Sequence, residues 1–122
     1  MMMRKFSMVF TLALAAACSQ QASAHAHLKS QYPAANANVE ASPQALTLTF
    51  SEDIEPAFSG VDVLNASQQA VPLEKAERAP KQHNQLIVPL KQPLPGGQYQ
   101  VNWHVLSVDG HKTNGNYTFS VK

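Results

Sequence analysis

Two short clusters in the sequence hold groups that bind metal ions: His25-Ala26-His27 and Asp109-Gly110-His111. Imidazole nitrogens and carboxylate oxygens are common ligands of divalent transition metals. In an extended segment residues i and i+2 point the same way, and an intervening glycine lets the backbone turn tightly, so Asp109 and His111 are expected to face one ion. The first cluster becomes a stronger chelator if the chain is cut directly before it. A terminal histidine offers its α-amine beside its imidazole, and an amine of reference pKa roughly 7.7 to 8.0 gives up its proton readily to a strong Lewis acid near neutral pH.

The N-terminal segment predicts that cut. Arg4 and Lys5 precede an apolar stretch from Met8 to Ala17, and Ala22-Ser23-Ala24 supplies the small-x-small pattern that a signal peptidase needs. Residues 1–24 therefore read as a secretory signal cleaved after Ala24, and residues 25–122 as one domain. The apolar run is well short of the roughly 18 to 20 residues of a membrane span, so no direct membrane insertion is expected after cleavage. Lipidation at Cys18 is the other route, because Leu14 to Cys18 loosely resembles a bacterial lipobox, although it lacks a large aliphatic residue three places before the cysteine. That route would leave His25 inside a tethered chain.

Cleavage changes the composition in a way that bears on the metal. Met1, Met2, Met3, Met8 and Cys18 account for every sulfur atom, so the 98 residues left (122 less 24) contain none. Of nine basic residues Arg4 and Lys5 also leave, and the remaining seven against eight acidic give a net charge of −1. Such a balance, with no long Lys/Arg run, excludes a nucleic-acid footprint. The single cysteine excludes an internal disulfide and any multi-cysteine zinc or iron-sulfur site. A tetragonal set of nitrogens and oxygens suits Cu(II), which tops the divalent affinity series, whereas Cu(I) favours sulfur. One Cu(II) ion per chain is the expectation, with zinc left open by ligand type alone.

The elements that position these residues read as strands. All eight prolines and five glycines follow residue 24 and punctuate segments of period-2 alternation. Leu46, Leu48 and Phe50 alternate with threonines; Val61 with Val63, and Leu86 with Val88 and Leu90, continue the pattern; Tyr99 to Val105 and Tyr117 to Val121 are the clearest. About seven short strands from near Leu28 to Lys122, with no helix of three turns, predict an all-β sandwich of immunoglobulin-like size. Trp103 is expected in its core.

The segments Leu28-Lys29-Ser30, Pro33-Ala34, Leu48-Thr49-Phe50-Ser51-Glu52 and Pro56-Ala57-Phe58-Ser59, and above all Val101 to His111 with Gly115 and Phe119, resemble the CopC family of periplasmic copper-binding proteins, including its YobA-type members. The resemblance implies a Greek-key β-sandwich, Cu(II) bound by His25, Asp109 and His111, a periplasmic role in copper homeostasis or resistance, and an inner-membrane transport partner of the CopD type. It also allows Glu52 to sit near the metal and orient an imidazole N–H. Some family members carry a methionine-rich loop for Cu(I); the corresponding stretch here, near Asn65 to Leu73, has neither Met nor His, which points to a Cu(II)-only member.

His27 stays a candidate ligand, because the third residue of a chain lets an amine, two backbone amides and an imidazole wrap Cu(II) in a plane. His104 is expected on the outer face of its strand and His83 in an exposed loop. Two other functions fit parts of this pattern. A copper-dependent oxidative enzyme would share the terminal histidine, but three nitrogens and an aspartate leave no open position for oxygen. A sandwich used for adhesion would bind no copper.

Overall fold

The computed structural model describes residues 26–122. Eight strands form two four-stranded sheets. The first contains β1 (Leu28–Tyr32), β3 (Ala45–Phe50), β5 (Glu77–Arg78) and β6 (Gln85–Pro89), in the order β1-β3-β6-β5. The second contains β2 (Asn38–Val39), β4 (Gly60–Leu64), β7 (Gly97–Leu106) and β8 (Lys112–Val121), in the order β2-β8-β7-β4. All neighbours are antiparallel except β2 and β8. This is a Greek-key β-sandwich, and a 3-10 turn at Pro56–Phe58 is the only helical element among the described residues.

Period-2 alternation sends one face of each long strand inward. Leu46, Leu48 and Phe50 of β3, Val101, Trp103 and Val105 of β7, and Tyr117, Phe119 and Val121 of β8 join one buried core. Phe50 meets Trp103 edge-on, with ring centroids 5.2 Å apart. At the other end Tyr99 stacks on Phe119 and its hydroxyl donates to the Pro95 carbonyl at 2.6 Å.

The indole of Trp103 lies over Gly115, its cross-strand partner, and a Cβ there would sit 2.6 Å from Trp103 Cζ2. The obstacle is a rigid ring wedged into the core, so Gly115→Ala is expected to cost about 1–3 kcal/mol as overpacking. Thermal unfolding followed by circular dichroism checks this. An unchanged melting temperature would mean that the ring slides aside.

The hairpin of β7 and β8 is paired without a break from Gly97↔Val121 to Leu106↔Lys112, and it carries residues 107–111 at its tip. The segment after β3 braces that tip. Ile54 bridges Ser107, the Glu55 N–H donates to the Leu106 carbonyl at 2.8 Å, and the Val108 N–H donates to the Asp53 carbonyl at 3.1 Å.

Candidate metal centre

Ser107 organises the tip. It is the one buried polar residue among the described residues, at 1% exposure. Its N–H donates to the His111 carbonyl at 2.9 Å and its carbonyl accepts the Gly110 N–H at 2.9 Å, which closes the loop into a tight turn. Gly110 takes φ +95°, a left-handed conformation that costs glycine little and other residues more. The Ser107 hydroxyl accepts the His111 N–H at 3.2 Å and donates to Asp109 Oδ1.

Asp109 and His111 are brought together by this turn, not by an extended strand. Asp109 Oδ1 lies 3.3 Å from His111 Nδ1, and both side chains are roughly half exposed, at 42% and 46%. The hydrogen bond from Ser107 holds the Asp109 carboxyl below the usual aspartate range; partial desolvation opposes it and the neighbouring His111 adds to the lowering. The carboxylate therefore stays charged to lower pH in the folded protein than in the unfolded chain. Its contribution to stability is present above the ordinary aspartate pKa and is lost as pH falls through the lowered one.

The first described residues are fastened near this pair. The Thr113 hydroxyl donates to the Ala26 carbonyl at 3.0 Å, two residues past His111, and the Ala26 methyl is fully buried between the sheets. The next residue, His27, is exposed, and its N–H donates to Ser51 Oγ while its carbonyl accepts the Ser51 N–H, both at 2.8 Å. His25 lies outside the described residues, as do Cys18 and the whole signal segment. Among the described residues no three His, Cys, Asp or Glu side chains converge into a metal-holding group.

Glu52 is half-buried at the start of the bracing segment. His104 is exposed on β7, opposite Gly60 and Asn114. His83 is exposed in the turn before β6, where its carbonyl accepts the Ile54 N–H at 3.0 Å. Ser107, Ser51 and Thr113 do not stand out in the sequence as site residues. For Ser107 a signal was present, since Ser107, Asp109 and His111 alternate and a serine two residues before an aspartate is a common partner in a turn. Ser51 and Thr113 act across the fold and leave no local signal.

The donor set, one carboxylate and one imidazole beside the pinned segment 26–27, suits a divalent transition metal. Comparison with known proteins gives the metal. The CopC domain family matches residues 28–122. Protein YobA of Escherichia coli K12 is 56% identical over 99 residues, covering 81% of this chain and 80% of its own. The crystal structure of PcoC, a methionine rich copper resistance protein from Escherichia coli, superposes with a TM-score of 0.73 at 35% identity, covering 81% of this chain and all of PcoC. The copper transport protein CutJ of Bacillus subtilis is 31% identical over 98 residues, which are 80% of this chain but 18% of CutJ. PcoC is a copper resistance protein and CutJ a copper transport protein, and the family they share with this chain is one of copper-binding proteins, not the oxidative enzymes of the alternative reading. The family match runs through the sandwich to its last residue and takes in the Asp109–His111 turn, so the chain belongs to the CopC family of copper-binding proteins.

Proposed function

We propose that the mature protein is a periplasmic carrier of one Cu(II) ion, which it holds with the α-amine and imidazole of His25, the Asp109 carboxylate and the His111 imidazole. The observation that carries this reading is the Thr113 bond to the Ala26 carbonyl, because it starts the chain beside the Asp109–His111 turn. A residue attached to Ala26 has only one Cα step, about 3.8 Å, to travel from that anchor. Ser107 sets the charge and orientation of Asp109 in advance of the metal.

Copper here is cargo, and its oxidation state follows from the ligands. Residues 25–122 contain no sulfur, in contrast to methionine rich PcoC. The stretch from Asn65 to Gln69 is closed by the Asn65 side chain, which accepts the N–H groups of Ser67 and Gln69 at 2.9 Å, and offers no soft ligand. Delivery to an inner-membrane transporter of the CopD type fits the relation to CutJ, where a domain like this one is part of a much longer transport protein.

The test compares protein that begins at His25 with a form carrying one extra residue before it, each titrated with Cu(II) against a competing chelator. The native start is expected to bind one equivalent, and the extended form to bind at least about tenfold more weakly, the lower end of the cost of disturbing a metal's supporting groups. Equal affinities would remove the terminal amine from the site.

A further inference from the structure

We propose that Ser51 and Thr113 are positioning residues that decide which nitrogens at the chain start take the copper ion. The inference rests on the Cu(II) reading above and adds two residues to it. Two arrangements compete for one ion. In the first, residue 25 alone supplies an amine and an imidazole, and Asp109 and His111 complete the set. In the second, the amine, the backbone nitrogens of Ala26 and His27 and the His27 imidazole wrap the ion in a plane, which any unfolded chain with histidine third can do.

The fold blocks the second arrangement at two points. Planar wrapping curls residues 25–27 around the metal with the His27 nitrogen turned toward it. In the structure that nitrogen points instead at Ser51 Oγ, 2.8 Å away, and the His27 carbonyl is held by the Ser51 N–H. Ser51 follows β3 in one sheet, whereas Thr113 belongs to β8 in the other and grips the preceding carbonyl, that of Ala26, at 3.0 Å. Residues 26 and 27 are thus stretched across the end of the sandwich, and curling them would also pull the buried Ala26 methyl out of the core. His27 is exposed and next to the site, yet the clamp holds it out of the coordination sphere.

The experiment uses protein beginning at His25, loaded with one equivalent of Cu(II), in four forms: wild type, Ser51→Ala/Thr113→Val, and each of these with His27→Ala. Electron paramagnetic resonance reads the number of nitrogens on the metal, and chelator competition reads affinity. The wild-type spectrum and affinity are expected to ignore His27→Ala. The double variant is expected to show a second, four-nitrogen species that His27→Ala removes, with about a tenfold loss of affinity. Ser51→Thr and Thr113→Ser, which keep both hydroxyls, should restore the single wild-type species. If the double variant melts too early to load, Ser51→Ala and Thr113→Val singly carry the same test. One unchanged species in every clamp variant, or a wild-type spectrum altered by His27→Ala, overturns the clamp. A wild-type spectrum indifferent to Asp109→Ala and His111→Ala overturns instead the copper site on which the clamp depends.

Discussion

Replacing His111 by alanine is expected to weaken Cu(II) binding by about 100-fold or more, while the metal-free protein melts within a few degrees of wild type. The two effects separate because the bonds that close the turn are made by the His111 backbone. Its N–H and carbonyl are bonded to Ser107, and alanine keeps both bonds. The side chain is half exposed, and surface substitutions of that kind usually change stability by no more than about 0.5 kcal/mol. Loss of one ligand from the proposed four-donor set has a larger effect than the 10–100-fold cost of disturbing a supporting residue. A ligand present at about 100 times its Kd stabilises the folded state by about 2.7 kcal/mol, and a 100-fold weaker Kd removes most of this. At roughly 4–8 °C per kcal/mol for a domain of this size, the copper-induced rise in melting temperature should shrink by roughly 10–20 °C. Thermal melts with and without Cu(II) measure both quantities. A copper-induced rise of wild-type size in His111→Ala would place the metal elsewhere. Destabilised metal-free protein would show that the imidazole itself braces the turn.

The parts of this architecture that sequence reveals are those written within one segment. The inward series of β3, β7 and the end of β8 alternate large apolar residues with polar ones, and each forms the strand expected of it. β8 begins at Lys112, five residues before the Tyr117 where its pattern becomes visible, because its first inward positions are Thr113 and Gly115. Both are small for reasons lying elsewhere in the chain: Gly115 makes room for Trp103, and Thr113 reaches Ala26. β2 and β5 have two residues each, too few for any period, which is why eight strands appear where about seven were expected. Asp109 and His111 were legible because they and their partner Ser107 span five residues. The clamp was not. Ser51 is 24 residues from His27 and Thr113 is 87 from Ala26, separations over which no local pattern carries information.

Phe50→Ala is expected to lower stability by about 3–5 kcal/mol, the range for truncating a buried phenylalanine. Phe50 is fully buried and loses its edge-on contact with Trp103. Its backbone accepts the Asn84 side-chain amide and donates to the Asn84 carbonyl, both at 2.8 Å, which holds the local strand in place and limits collapse into the void. A domain of about 100 residues has roughly 5–15 kcal/mol in total, so this one change removes a large part. The melting temperature should fall by roughly 12–40 °C. Copper cannot offset the loss. With an unchanged site, metal at about 100 times Kd returns about 2.7 kcal/mol, so copper-loaded Phe50→Ala should still melt below metal-free wild type. The order of those two melting temperatures is the decisive measurement. If loaded Phe50→Ala melts above metal-free wild type, the sheets have closed over the cavity and the core near Trp103 is softer than its packing indicates.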